Sequence, residues 1–401
     1  MKENAGSIVV VGAGPVGLTA ALSLAWKGIP VQVLEARDAP ADDPRATTFH
    51  PPTLDMLEKF GVTPHLVEMG TINRRWQFRD RATGERAEFD LAMLSDETAH
   101  PYRLQCQQVN MSRVILAKLA EMDHVKIQFG AQVTGFIEHD DGVEVLATKS
   151  SGTDGIRVGG RYLIAADGAS SVVRKQLEIG FEGLTYPELF ILVSTPFDFR
   201  QHIPDLSDVN YVSDPDEWYS MLAISGLWRV VFPSHPDESD EEALADESIQ
   251  RRLNSVVHRS VPYEVVQKTL FRVHQRVADS YRAGRVILAG DSAHLNNPLG
   301  GMGMNGGVHD ALNLTEKIDR VLNGESEDLF DLYGRQRRPV AIQDVQAQAD
   351  RNRRLLNEKD PEVRKSNFRD LQETAEDPAL AKAFLLRSSM IEGLRRAETI
   401  A

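Results

Sequence analysis

The first strong pattern in the chain is an uninterrupted apolar run, Ile8–Val11, which predicts a strand buried on both faces, as in a parallel sheet. Residues 18–26 are rich in Ala and Leu and predict a helix; Val31–Leu34 predicts the next strand. Gly12, Gly14 and Gly17 fall in the turn between the first strand and the helix. That order is the signature of a dinucleotide-binding unit. Gly12 permits the tight turn, Gly14 lets backbone approach a pyrophosphate, and Gly17 lets the helix pack closely on the sheet. With Pro15 and Val16 they would set phosphates on the helix N-terminus, where free N–H groups and the helix dipole favour anions. Glu35, at the tip of the second strand, can accept hydrogen bonds from ribose hydroxyls. Ala36 follows it, and Arg37 either reaches the adenosine half or faces solvent.

Two more apolar stretches end in comparable turns. Residues 161–166 lead into Asp167-Gly168, with Ser171 and Arg174 beyond, and residues 285–289 lead into Gly290-Asp291, with His294 beyond. Ligands of open α/β sheets bind at the carboxyl ends of strands, so the three turns converge on one crevice if they share a sheet. Asp291, an acceptor-only group when ionised, could hold a polyol hydroxyl there. Any one of these is an ordinary turn; their recurrence after three strands is what points to a site. Pro298, Gly301, Gly303, Met304 and Asn305 then precede a helical pattern over residues 308–322. These glycines follow no strand directly. They read as a loop opening a helix, its N–H groups turned toward the edge of a flat, electron-rich ligand.

Between residues 189 and 273 the pattern changes to alternation, in segments 190–195, 218–224 and 227–232, with Ser225-Gly226 as a hairpin turn. This predicts a mostly antiparallel sheet, to which residues 74–89 add strands. Tyr211, Tyr219, Met221 and Trp228 are candidates for an aromatic pocket in it, although such side chains also dominate ordinary cores. Residues 341–401 are charged and helix-prone and predict a tail packed on the first domain or on a partner subunit. The expected architecture is α/β. A Rossmann-like domain comprises residues 1–73, 101–186 and 275–340, an antiparallel-sheet domain 74–100 and 187–274, and a C-terminal helical segment 341–401.

Composition narrows the function. A chain of 401 residues, 42% hydrophobic, can fill two domains. A net charge of −14 offers no general attraction to nucleic acid or anionic lipid. The single cysteine, Cys106, excludes an internal disulfide and suits a reducing cytoplasm. Residues 8–26 carry no charge, but the Gly-Ala-Gly-Pro interruption and the lack of a strongly basic flank argue against a membrane span or signal peptide. The acidic run 237–247 reads as a solvated loop and helix start. The expectation is a soluble, cytoplasmic monomer or homodimer without bound metal.

Taken together, the glycine turn with Glu35, the Asp167-Gly168…Ser171…Arg174 motif, and Gly290-Asp291 followed by Pro298…Gly301…Gly303-Met304-Asn305 resemble a known family. It is that of the single-component, FAD-dependent aromatic hydroxylases, the para-hydroxybenzoate hydroxylase-like monooxygenases. Smaller echoes are Arg45-Ala-Thr before a helix over residues 51–60, Gln108 leading into residues 111–119, and Arg337-Arg338-Pro339. The resemblance implies that Gly12, Gly14, Gly17 and Glu35 hold the ADP half of FAD, with Arg45 and Gln108 near the pyrophosphate and ribityl chain. Asp291 would bind a ribityl hydroxyl, and Pro298 with residues 301–305 would flank the isoalloxazine. Asp167, Gly168 and Arg174 would serve both FAD and the nicotinamide coenzyme. It further implies NADH or NADPH as electron donor without a domain of its own, and a flavin C4a-hydroperoxide that hydroxylates a small aromatic or heteroaromatic substrate. His50, Tyr211, His274 and His294 are the candidates, by residue type, for removing a phenolic proton. Arg103 and Arg113 read as structural arginines. Related flavoprotein chemistry (an epoxidase, a quinone hydroxylase or a reductase) and a non-enzymatic flavin sensor are the alternatives. The halogenase Trp-x-Trp-x-Ile-Pro pattern is absent from the sequence.

Overall fold

The computed structural model describes residues 6–40, 46–150, 152, 155–235 and 237–401. Ile8–Val11, buried throughout, is a central strand flanked in parallel by Tyr162–Ala165 and Val31–Leu34. Val125–Gln128 extends one side and Val286–Leu288 the other, and the short strand Arg282–Ala283 closes the edge antiparallel. Val11, Ala165 and Leu288 are in register across three adjacent strands. The three turns seen in the sequence therefore start side by side at one end of one sheet. Helices Pro15–Trp26 and Gly303–Leu322 pack together, Ser23 Oγ lying 2.8 Å from Thr315 Oγ1. A Cβ at position 307 would meet Val16 Cγ2 at 2.5 Å, so this contact requires glycine there, and one at position 17 would meet Gly12 O at 2.0 Å, so the first turn requires glycine too.

A second sheet of eight strands stands over the carboxyl ends of the first. Its order is His294–Leu295, Gln267–Ala278, Phe181–Thr195, Leu227–Pro233, Tyr219–Ile224, Val209–Ser213, Arg75–Asp80, Arg86–Asp90. All neighbours are antiparallel except Val209–Ser213 beside Arg75–Asp80. The Ser225-Gly226 turn has positive φ at both residues, which matches the twist of a tight hairpin. Between the two large sheets lies a small one, formed by Thr48–Phe49, Arg103–Gln105 and Thr71–Asn73. A further three-stranded antiparallel sheet spans Ala131–His139, Gly142–Lys149 and Gly155–Gly160.

Alternation along the eight-stranded sheet divides its residues between two cores. Trp76, Phe78, Tyr211, Phe190 and Leu192 face inward, and Ile191, Val193, Tyr219, Met221 and Trp228 face outward against Phe199, Ile249 and Leu253. The tail supplies much of the inner core. Its helices are Ala347–Leu356, Pro361–Glu376, Pro378–Ser388 and Ile391–Glu398, and the Asp-Pro pairs 360–361 and 377–378 start two of them with a side-chain cap. Phe384 stacks on Phe89 at 4.4 Å, and Arg364 Nη2 donates to Asp80 Oδ2 at 2.6 Å with both side chains buried. The last helix packs on Asp328–Val340, near the donation from Gln336 Nε2 to Ile400 O at 3.0 Å. The tail thus spans both units instead of resting on the first alone; its sequence shows an apolar face but not what that face covers. No helix among the described residues is long and apolar enough to cross a membrane.

Removing one partner of a buried ion pair strands the other. Arg364→Met, which leaves Asp80 uncompensated, should lower unfolding stability by about 3 kcal/mol in urea titrations. An unchanged midpoint would show that the tail is not clamped through this pair.

Candidate active site

Gly12 turns at φ +102°, where a Cβ would meet Ala166 O at 2.3 Å, so the first turn lies directly against the second. Gly14 is the N-cap of helix Pro15–Trp26, and no side chain caps that end among the described residues. Pro15 lacks an N–H, which leaves those of Val16 and Gly17 at the front of the helix. A Cβ at Gly14 would touch nothing within 4 Å, so the space before the terminus is open. At the rim, Glu35 Oε2 accepts from Ala13 N–H at 2.7 Å and Oε1 from Arg37 N–H at 3.0 Å. Those bonds orient the carboxylate and leave lone pairs for hydroxyl donors. Ala36 and Arg37 are exposed. Gln108 opens helix Gln108–Leu119, its N–H donating to Ala46 O at 3.0 Å, while Arg45 lies outside the described residues.

In the second turn, Asp167 Oδ2 accepts from Val173 N–H at 3.2 Å, and Oδ1 is buried with no partner among the described residues. Gly168 continues the turn at φ +79°. Arg174 is buried, and its guanidinium donates to Ser292 O and to Ala169 O, each at 2.8 Å, above the Phe181 ring at 3.7 Å. Its work is to fasten the second turn to the third. In that third turn Asp291 is exposed, and Gly290 N–H donates to Asp310 Oδ2 at 3.2 Å.

Asp310 is fully buried. His294 Nε2 donates to its Oδ2 at 2.7 Å and Arg337 Nε to its Oδ1 at 2.6 Å. Burial opposes its ionisation, but the His294 and Arg337 partners outweigh that and hold the carboxyl well below its usual range. His294 is thereby committed to structure. Along the following loop, Asn305 acts through its side chain: Nδ2 donates to Gly301 O and Thr48 O at 2.7 and 2.8 Å, and Oδ1 accepts from His50 N–H at 2.9 Å. Gly301 N–H donates to the carbonyl of the exposed Pro298 at 2.9 Å, and helix Gly303–Leu322 starts with Gly303 and Met304. His50 Nε2 donates to Gly300 O at 2.8 Å, leaving Nδ1 a buried acceptor without a partner among the described residues. Burial first, then the nearby Arg103 cation, push the His50 pKa well below its ordinary value, so the ring is neutral.

An open helix terminus, a rim carboxylate, an unmatched Asp167 oxygen and a glycine loop, all along one edge, fit an adenine dinucleotide. Of the side chains singled out for the substrate, Tyr211 reaches the inner face, its ring 5.9 Å from Trp76. Tyr219, Met221 and Trp228 lie on the opposite face, in the outer core. His274 bonds Thr185 Oγ1 at 2.9 Å on an exposed stretch of the long strands. Asp310 and the Asn305 side chain were not singled out by the sequence, and Arg337 entered only as part of a smaller echo of the family pattern. A lone acid between Val308 and Leu314 was the available signal for the first, since an unpaired carboxylate is not buried without cause.

A family described as FAD binding domain matches residues 6–348. Over 404 residues the chain is 35% identical to the para-nitrophenol 4-monooxygenase of Pseudomonas sp. (strain WBC-3), with 98% of each covered. It is also 35% identical over 378 residues to the 6-hydroxy-3-succinoylpyridine 3-monooxygenase of Pseudomonas putida, with 92% of each covered. The crystal structure of p-nitrophenol 4-monooxygenase from Pseudomonas putida DLL-E4 superposes with a TM-score of 0.87 at 33% identity, over 96% of this chain and 97% of that one.

His309, bonded to Thr53 Oγ1 at 2.8 Å, has its pKa brought down to about 3 by burial and then by Arg337. Below the ordinary histidine pKa of 6.5, the unfolded chain binds a proton that the folded one refuses. Stability should therefore fall as pH drops from 6.5 toward 3, by at most about 1.4 kcal/mol per pH unit from this group. Denaturation of His309→Gln at pH 7 and pH 5 should show a smaller difference than in the parent. A second expectation concerns the hub. Asp310→Asn leaves Arg337 buried without its counter-charge and should cost about 3–5 kcal/mol, read as a lower melting temperature.

Proposed function

The chain belongs to the FAD binding domain family of single-component aromatic hydroxylases, and we propose that it acts on a small monocyclic hydroxyarene bearing an electron-withdrawing or acidic substituent. It is an FAD-dependent monooxygenase using NAD(P)H and O2 on an aromatic substrate. When bound, FAD would supply the redox chemistry, with NAD(P)H as hydride donor, one oxygen atom of O2 entering the ring and the other leaving as water. The substrate class draws support from the compounds named for the two relatives, a nitrophenol and a hydroxypyridine carrying a succinoyl group.

The carrying observation is the register of Val11, Ala165 and Leu288, which puts three ligand-type turns beside one another beneath an aromatic-faced sheet. On this reading Gly12, Gly14, Gly17 and Glu35 hold the ADP half, Asp291 a ribityl hydroxyl, and residues 298–305 the isoalloxazine edge. Arg174 and Asn305 position those elements. The eight-stranded sheet and the tail exclude water, and Tyr211 and His50 line the chamber. Residues 74–100 and 187–274 form the substrate unit, and the tail is its lid. The acidic balance and single cysteine support a cytoplasmic enzyme, monomeric or homodimeric, without nucleic-acid or membrane partners.

NAD(P)H oxidation followed over a panel of substituted phenols and hydroxypyridines, with product analysis under labelled oxygen, tests the reading. Fast, substrate-dependent oxidation with label in the product is expected. Equal oxidation without any aromatic, yielding only peroxide, would favour an oxidase or sensor. For the cofactor site, Asp291→Ala should weaken FAD roughly tenfold or more, as loss of a charge-assisted hydrogen bond does. Gly14→Val should be worse, because its side chain enters the phosphate space. Wild-type FAD affinity in both would overturn the assignment.

A further inference from the structure

Three other buried arginines of this chain have carboxylates, and Arg174, which has none, spends its guanidinium on the Ser292 and Ala169 carbonyls. Arg337 has Asp310, Arg364 has Asp80 and Arg252 has Glu238. Arg103 is only 2% exposed and pairs with no carboxylate among the described residues. Its guanidinium lies 4.6 Å over the Trp76 ring, Nη2 makes a long contact of 3.5 Å to Ser388 O, and the Tyr211 hydroxyl is its other polar neighbour. Arg103 Nε, Trp76 Nε1 and Gln105 Nε2 are all buried donors without an acceptor among the described residues.

The position of this cluster is set by the small linking sheet. Arg103 and Gln105 lie on one side of their strand, two residues apart. Gln105 stands opposite Thr48, whose hydroxyl donates to Gln105 Oε1 at 3.0 Å. Thr48 in turn abuts the glycine loop, since a Cβ on Gly301 would fall 2.8 Å from Thr48 Cβ. One continuous wall therefore runs from the loop at the flavin edge to Arg103, and ends at Trp76 and Tyr211 of the overlying sheet.

An isolated cation in such surroundings is costly, and burial lowers the Arg103 pKa from its ordinary value. Three unmatched donors and a positive charge along this wall call for a ligand rich in acceptor oxygens. Building on the substrate class proposed above, we infer that Arg103, flanked by Trp76, Gln105 and Tyr211, is the specificity-determining residue that holds the anionic or strongly polarised oxygen of the ring substrate. That oxygen belongs to a phenolate or to a nitro or carboxylate substituent. Where it is the phenolate, binding itself selects the ionised and more nucleophilic ring, and no strong side-chain base is needed beside the neutral His50.

The test titrates R103M and R103K holoenzymes with 4-nitrophenol, 4-methylphenol and nitrobenzene, following the flavin absorbance change. R103M should weaken 4-nitrophenol binding about a hundredfold, and R103K, which keeps charge but loses the planar fork, by less. The pH dependence that ties wild-type affinity to phenol ionisation should vanish in R103M. FAD affinity should persist and the melting temperature should hold or rise, because an unpaired buried charge has been removed. A parallel loss for 4-methylphenol identifies the phenolate oxygen as the group held; one for nitrobenzene identifies the substituent. Wild-type affinity of R103M for all three ligands overturns the inference, as does weakened FAD or a lower melting temperature with ligand affinities intact. If wild type hydroxylates these phenols and R103M does so with equal KM, only the Arg103 assignment falls. If wild type neither binds nor hydroxylates any of them, the substrate class itself falls.

Discussion

The buried carboxylate of Asp310 gathers the Gly290 N–H, the His294 ring and the Arg337 guanidinium, and so joins segments that the chain keeps far apart. Gly290 fixes the third turn of the site, His294 begins the edge strand of the overlying sheet, and Arg337 belongs to the helix that continues toward the tail. With Arg174 bridging the second and third turns through backbone carbonyls, the floor of the site becomes one rigid piece. A charge this deeply buried holds only while all its partners stay in place, which makes the geometry all-or-none. The precision that a cofactor site needs thus comes from outside its contact residues.

Much of this architecture was legible from residue pattern. Ile8–Val11 and Val31–Leu34 could be bounded correctly because strands covered on both faces show continuous apolar runs, and Ser225-Gly226 because a tight hairpin has few chemical solutions. The convergence of three turns followed from a topological rule and not from any one motif. The sheet face of each aromatic residue was harder to read. Alternation separates Tyr211 from Tyr219 only once register is known, and register depends on partners distant in sequence. Arg103 was illegible for a related reason. An arginine in a short strand looks like any surface arginine until its burial, and the want of a carboxylate beside it, are seen. The tail gave away its helical character through its charged, helix-prone composition, but its target, the ring cluster of Trp76 and Phe89, is a property of the assembled sheet.

The two ends of the crevice follow opposite physical rules. Around Asp310 and Asn305, beneath the crevice, charges are matched and side-chain hydrogen bonds closed. Around Arg103, donors are left open and the cation has no carboxylate among the described residues. Such an imbalance opposes folding locally and is tolerated because the surrounding cores, with their stacked rings and clamped tail, hold the unfavourable groups in position. The same imbalance gives a ligand of the right polarity its advantage, since the cost of withdrawing those groups from water was met when the protein folded.

The strand order of the central sheet also governs how the chain is made. Val31–Leu34 follows Ile8–Val11 closely in the chain and pairs with one side of it. Its other neighbour, Tyr162–Ala165, arrives only after more than a hundred further residues, and Val286–Leu288 only after most of the overlying sheet has been synthesised. The most apolar strand in the nascent polypeptide must therefore wait half-paired, a condition that slows folding and invites aggregation. The third turn follows residue 288, so the crevice in which the three turns meet is completed only after the strands that carry the first two have long been made.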